Sequence, residues 1–352
     1  MNLQRLKTIC DLGGASGFED DVVFYLQEEL KAIGPSSIDS MLNLYVHRKE
    51  AKPDDPVVML DAHTDEVGFM VRLIRPNGLI EFTTIGGWVT TNIPAHQVLV
   101  RTIDGTYITG IVGSKPPHYM SESERNQAPA IENLYIDIGV SSQQEACDLG
   151  VRVGNPIVPK AELEFKNNGI IFGKAFDDRL GCAAVVEVLE AIRGESLLVN
   201  PVGVFSSQEE VGLRGAQVAA NTLKPDVAIC FEGTPADDTF ESGDRQQTVL
   251  GKGPMLRYID SKMITNPRFQ RFALDVAKKY DIRVQTAVRT GGATNAGAIH
   301  LSGGGVPSIV IGVPVRYAHT HYSVASLDDL KGAIALGKAI LKELNREIIA
   351  SF

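Results

Sequence analysis

Hydrophobic and polar positions along the chain fall into three textures. The first 66 residues read as helix, helix, strand, strand. Ser16, with Glu19 three positions on, forms a capping-box pattern ahead of Val22, Val23, Leu26, Leu30 and Ile33, an amphipathic helix stopped by Gly34-Pro35. Leu42 to Val46 and Val57 to Leu60 then read as buried strands. From about Gly68 to Phe165 the runs become short and β-like: Phe69 to Ile74, Val98 to Thr102, Tyr107 to Val112 and Tyr135 to Ile138. Turn signals such as Pro76-Asn77-Gly78, Gly86-Gly87 and Asp104-Gly105 separate them, and helical periodicity is confined to a polar stretch near Gln143.

After Asn167-Asn168-Gly169 helices and strands alternate. Helices are expected from about Asp178 to Arg193, Arg214 to Leu223, Pro267 to Tyr280 and Leu327 to Ile349. Strands are expected at Val202 to Phe205, Val227 to Phe231, Val284 to Val288 and Ser308 to Val313. This alternation predicts an α/β fold, a mostly parallel central sheet flanked by helices. Residues 68–165 interrupt it as an inserted small β-barrel-like domain, so that 1–67 and 166–352 form one unit. A length of 352 residues suits two such cores.

Composition narrows the function classes. Apolar residues make up 44% and charged residues 22%, which excludes a disordered chain. A formal net charge of -9, without clustered Lys and Arg, argues against nucleic acid or anionic membrane as a partner. The first residues carry no basic flank before an apolar core, and no run of about 18 apolar residues occurs. A cytoplasmic location is therefore expected. The four cysteines, Cys10, Cys147, Cys182 and Cys230, are widely spaced and read as reduced thiols.

Chemistry-bearing residues gather where strands end. His63 and Asp65 follow one strand, and Asp65 could accept the second ring proton of His63. Asp177-Asp178 opens a helix; capping needs one of the two and leaves the other free to ligate. Glu209-Glu210 ends a buried strand, so one could hold a metal and the other move a proton. Glu232 follows the apolar run Val227 to Phe231, and His319 follows Ile309 to Ala318. An open α/β sheet assembles its site outside the carboxyl ends of its strands, and this mixed set of histidines and carboxylates suits a pair of zinc-like ions. His321 is the rival ligand, whereas His47, His96, His118 and His300 read as structural or surface residues. No Gly-x-Ser-x-Gly elbow, P-loop or dinucleotide fingerprint is present. Gly291 to Gly297 is glycine-rich without a phosphate-cradle lysine, and suits a tight loop beside the metals.

Five segments in this order resemble the tetrahedral aminopeptidases, co-catalytic metallopeptidases grouped with glutamyl aminopeptidases and, in older naming, endoglucanases. They are Asp61 to Gly68, Ala175 to Gly181, Gln208 to Gly212, Ala296 to His300 and Pro314 to His319. The resemblance implies that Asp177 bridges two divalent ions, zinc or alternatively cobalt or manganese. His63 and Glu232 would complete one site, Glu210 and His319 the other. Glu209 would be the general base and Asp65 the residue orienting His63. It further implies an aminopeptidase acting on peptide substrates, with the β-insert making dimers that assemble into a dodecamer. Glu232 departs from the aspartate more usual there, and Thr320-His321-Tyr322 replaces a common Ser-Pro pair. Asn295 replaces a frequent aspartate, removing a charge expected near the substrate. A different reading, a glycoside hydrolase using Glu209 and Glu232 as a carboxylate pair, leaves both histidines idle and needs no metal.

Overall fold

A computed structural model describes residues 1–352. Its centre is an 11-stranded sheet. Four adjacent strands, Asn200–Ser206, Val57–His63, Val227–Pro235 and Ser308–Arg316, run parallel, so their carboxyl ends open on one edge. The outer strands differ from the sequence expectation, because Leu44–His47, Ser323–Ser326 and Ile170–Gly173 pair antiparallel. Parallel pairing is thus confined to the middle and to the side pair Met255–Ile259 with Gln285–Val288. Crossover helices cover the central strands, whereas the flanking strands reach their places through shorter connections.

Alternation along the central strands decides what faces where. Val58, Leu60, Ala62, Ile229 and Phe231 pack on the face covered by helices Phe176–Ala191, Pro267–Lys279 and Leu327–Glu343. Met59, Ala228 and Cys230 face the opposite layer, built from Arg214–Leu223 and Ala296–Ile299. Continuing the same parity, His63 and Glu232 emerge on this second face at the strand ends.

The intervening segment closes a six-stranded antiparallel barrel, in the order Gly68–Ile74, Ile80–Ile85, Tyr135–Asp137, Tyr107–Gly113, Gln97–Arg101, Pro156–Pro159. Its own core includes Phe69, Phe82, Val98, Val100 and Ile157. Two of these strands, Ile80–Ile85 and Pro156–Pro159, are illegible in sequence. The first mixes polar Glu81, Thr83 and Thr84 into the run, and the second is flanked by prolines that normally argue against a strand.

Three helical expectations change. The capping box does not form: the helix Asp20–Glu29 starts behind Glu19, whose side chain makes no cap bond. That helix ends at Glu29 instead of reaching Ile33. The closing helix breaks into Leu327–Glu343 and Arg346–Ala350, because Asn345 takes an extended conformation and caps the second piece through Ile348 N–H.

Beneath the strand ends lies a buried ionic cluster. Lys174, 1% exposed, donates to Glu66 Oε1 at 2.6 Å and to the Leu12 carbonyl at 3.0 Å. Arg179 donates to the Thr64, Ile9 and Leu12 carbonyls and lies 3.4 Å from the same Glu66 oxygen. Burial lowers the Lys174 ammonium below its ordinary value, with Glu66 opposing the shift. Removing one member of a buried ion cluster costs about 3–5 kcal/mol. Lys174→Met is therefore expected to lower the unfolding free energy from denaturant titration by an amount in that range, and the midpoint with it. An unchanged midpoint would show that this cluster does not hold the fold.

Candidate metal centre and active site

Asp177 occupies the middle of the site. Its Oδ1 lies 3.1 Å from His63 Nε2 and its Oδ2 lies 3.4 Å from His319 Nε2. His63 is fully buried at the end of its strand, and its Nε2 is also 3.7 Å from Glu232 Oε1. On the other side, His319 Nε2 is 3.4 Å from Glu210 Oε2. Two donor sets therefore share Asp177: His63 with Glu232, and His319 with Glu210.

Non-helical dihedrals at Asp177 and Asp178 open the helix and give the two carboxylates different partners. Asp178 Oδ1 accepts from Gly181 N–H at 2.9 Å and Oδ2 from His63 N–H at 3.2 Å. Asp178 comes near enough to His63 and Glu232 to form part of a donor group, but both its oxygens are committed to backbone amides. It caps the helix, and Asp177 is left to face the cavity. The close passage depends on Gly233, where a Cβ would sit 2.4 Å from the Phe176 carbonyl oxygen and 2.7 Å from Asp177 Cα.

The imidazoles are oriented through their second nitrogens. His63 Nδ1 lies 3.1 Å from the Asp65 backbone oxygen and 3.3 Å from Asp65 Oδ1, so main chain and carboxylate of one residue both face it. His319 Nδ1 lies 3.0 Å from the carbonyl oxygen of Gly87, a residue of the barrel segment. This partner was unreadable in sequence, since Gly86-Gly87 carries only a turn signal. At Gly86, with φ +76, an added Cβ would approach Val67 Cγ1 to 2.7 Å.

Glu209 and Glu210 part company. The Glu209 side chain has no hydrogen bond or ion pair and lines the cavity, while the Glu210 Oε1 atom is buried without a partner. Burial, joined by neighbouring Glu232 and Glu210 and opposed by His63, raises the Glu209 carboxyl well above the ordinary range. Burial pushes Glu210 up to about 8 and Glu232 up to about 7, each reinforced by the charge of Asp177. Burial disfavours a charged His319, yet the contacts with Asp177 and Glu210 outweigh it and raise the ring to about 9. An orphaned carboxylate oxygen among hydrogen-bonded histidines and protonation-prone acids is a donor set that fits divalent cations.

Two readings of nearby residues are corrected. His321, the rival ligand, is 1% exposed and stacks on His96 with centroids 4.3 Å apart, beside Trp88. Burial and the neighbouring His96 push its ring down to about 3, and its stacking makes it an aromatic packing element that belongs to neither donor group. Asn295 does not face substrate. It is 1% exposed, and its Nδ2 donates to Ser206 Oγ at 2.7 Å behind the strand ends.

A cavity of about 880 Å³ opens over the site. Asp177, Glu209, Glu210 and Glu232 line it together with Arg257, Lys262 and Arg289. Arg257 is 4% exposed and bonded to Asp260 and Thr234, with its Nε unpartnered. Arg289 lies 3.4 Å from Asp237, and Lys262 has no ion pair. A carboxylate-pair glycosidase gives no account of two histidines converging on Asp177.

A family model described as M42 glutamyl aminopeptidase matches residues 43–336. The chain is 34% identical over 349 residues to a glutamyl aminopeptidase of Lactococcus lactis subsp. cremoris, covering 98% of this chain and 97% of that one. Among solved structures it is similar to a TET aminopeptidase from the archaeon Thaumarchaeota archaeon SCGC AB-539-E09, with TM-score 0.95 and 37% identity over 99% of both chains. It is also similar to PhTET1-12s, described as a dodecamer, with TM-score 0.87 and 28% identity over 98% of this chain and 100% of that one.

The packing at Gly233 gives a direct check on the geometry. Gly233→Ala must displace backbone, since the atoms it meets belong to the main chain of Phe176 and Asp177. The variant is expected to stay folded by circular dichroism and to lose divalent metal measured by elemental analysis. Wild-type metal content would show that the Asp177 position does not depend on this contact.

Proposed function

As a member of the M42 glutamyl aminopeptidase family the chain is a peptide hydrolase, and we propose that it removes N-terminal residues from peptides at a two-metal centre. Family membership implies divalent cations; zinc is the ion proposed, with cobalt and manganese as alternatives. The observation that carries the reading is Asp177 set between His63 and His319, with Glu232 beside one and Glu210 beside the other. Asp177 is the bridging carboxylate, His63 and Glu232 hold one ion, and Glu210 and His319 hold the second. When bound, the ions supply Lewis acidity to the scissile carbonyl and make water acidic enough to attack near neutral pH.

Glu209 is the general base in this reading. Its carboxylate is free of other partners and borders the cavity, so it can accept a proton from the attacking water and return it to the leaving amine. Asp65 fixes the His63 ring. The cations Arg257, Lys262 and Arg289 support a preference for a first residue bearing a carboxylate, in line with the name of the Lactococcus relative.

We further take residues 68–165 to be a dimerisation insert in a catalytic domain of 1–67 and 166–352. Exposed Ile103, Leu149 and Val153 on the barrel side support a contact surface, at 72%, 49% and 65% exposure. The dodecameric neighbour supports dimers assembling into a dodecamer. A cytoplasmic location is supported by four unpaired cysteines; no helix is long and apolar enough to cross a membrane.

Glutamyl and leucyl peptides, their N-acetylated forms and a soluble β-glucan, each with and without chelator, test the activity. Only free-amine peptides should be cut, glutamyl faster, with loss on chelation and recovery with zinc or cobalt. Glu209→Gln should keep its metal and lose roughly 10²-fold or more in turnover. Comparable cleavage of the acetylated peptides, or of β-glucan in chelator, would defeat the reading.

Sedimentation should show a large homo-oligomer. A fully active monomer at micromolar concentration would remove the assembly claim.

A further inference from the structure

The capping-box residues that fail to cap are used elsewhere. Ser16, 8% exposed, donates its hydroxyl proton to Asp65 Oδ2 at 2.6 Å. Glu19, fully buried, accepts the Gln208 N–H at 3.0 Å and the Gly17 N–H at 2.8 Å through Oε1. Asp65 in turn accepts the Glu209 N–H at 2.9 Å and the Glu210 N–H at 3.1 Å. Three consecutive amides, 208, 209 and 210, are thus capped by two buried carboxylates from elsewhere in the chain.

These amides belong to the turn that sends Glu209 and Glu210 to different tasks. Gln208 has φ +53, a left-handed conformation costly for a residue with a Cβ. Successive N–H groups in such a turn form an anion-holding concavity. Here the concavity is filled by protein carboxylates, so its occupants fix the turn. The segment supplying them is itself anchored: Glu66 N–H donates to the Gly14 carbonyl at 2.9 Å, and Gly14 N–H to Glu66 Oε1 at 3.2 Å.

We propose that Ser16 and Glu19 are positioning residues, which set the geometry of Glu209 and Glu210 by gripping the 208–210 turn, Glu19 directly and Ser16 through Asp65. The proposal rests on the reading of Glu209 as base and Glu210 as ligand. Ser16 has two routes of influence, because Asp65 touches both that turn and the His63 ring. Glu19 has one. Neither residue hydrogen-bonds to the Glu209 or Glu210 side chain, and neither lines the cavity.

The test uses the metal-loaded full chain and four variants: Ser16→Ala, Ser16→Thr, Glu19→Ala and Glu19→Gln. Loss of an outer hydrogen-bond partner of a metal site typically costs about 10–100-fold in metal affinity or activity. Ser16→Ala and Glu19→Ala should lower kcat at saturating metal by a factor in that range with KM little changed. Chelator competition should show weaker zinc retention in both. Thr at 16 restores the hydroxyl and Gln at 19 restores an acceptor oxygen, so both should recover most of the loss. In a Glu209→Gln background, Ser16→Ala should cost less turnover than it does in the wild type, since the part of its effect that runs through Glu209 is already removed, while its effect on zinc retention persists.

Wild-type kcat and zinc retention in the two alanine variants would overturn the proposal. So would a loss that Thr and Gln fail to restore, or one matched only by a fall in the unfolding midpoint. Failure of the underlying reading is distinguishable, because it appears as retained turnover in Glu209→Gln alone.

Discussion

The structure turns on the crowding of buried carboxylates around Asp177. Two like charges about 4 Å apart repel by about 4 kcal/mol at an effective dielectric of 20. Burial first, and then the charge of neighbouring carboxylates, pushes Glu210 to about 8 and Glu232 to about 7, and raises Glu209 well above its ordinary range. His63, His319 and Arg257 oppose these shifts without cancelling them. A protein that keeps such a cluster out of water needs cations to occupy it and a rigid frame to hold it meanwhile. Both requirements shape the surroundings.

The frame comes from three directions. From below, Lys174, Glu66 and Arg179 tie the segment after His63 to the carbonyls that end the first helix. From behind, Asp178 spends both oxygens on amides and fixes the start of the helix that presents Asp177. From the barrel segment, the Gly87 carbonyl sets the His319 ring. The inserted barrel is therefore part of the site as well as a surface, and movement of its Gly86-Gly87 turn would be felt at His319.

Much of this was legible in sequence because the histidines and carboxylates follow apolar runs that read as strands. His63 lies two residues past Asp61 and four past Met59, and Glu232 two past Cys230. Period-two alternation puts His63 on the face of Met59 and Glu232 on the face of Cys230, and the packing of Met59 and Cys230 in one cluster shows that these faces are the same. The glutamate pair was harder. Only the left-handed Gln208 and the two amide bonds to Asp65 explain how adjacent residues take different directions. Ser16 and Glu19 carry a true local pattern, but a tertiary demand for oxygen acceptors and hydroxyl donors at the 208–210 turn outbids a surface helix cap. His321 misleads for a related reason. Its spacing from His319 suggests a ligand, yet an aromatic cluster with His96 and Trp88 buries the ring. Leu44–His47 was legible as a buried strand but its antiparallel pairing was not, and the short strands Ile170–Gly173 and Ser323–Ser326 escaped altogether, lacking a period that separates them from loops.

Both signs of charge line the cavity, and this bears on why a free amine matters in the proposed reaction. Carboxylates at the metal side attract the ammonium of a peptide N-terminus, while Arg257, Lys262 and Arg289 repel it. A peptide entering amine first is therefore oriented before chemistry begins. A first residue with a carboxylate side chain would be oriented twice, by opposite charges at its two ends. Part of the cationic wall is neutralised, since Arg257 meets Asp260 and Arg289 meets Asp237, which leaves Lys262 as the group without an ion pair. An acetylated N-terminus keeps the peptide bond but discards the ammonium, and with it the attraction to the carboxylate side. In the proposed reaction, exo-specificity would then follow from the field in the cavity and would require no wall that physically blocks the rest of the chain.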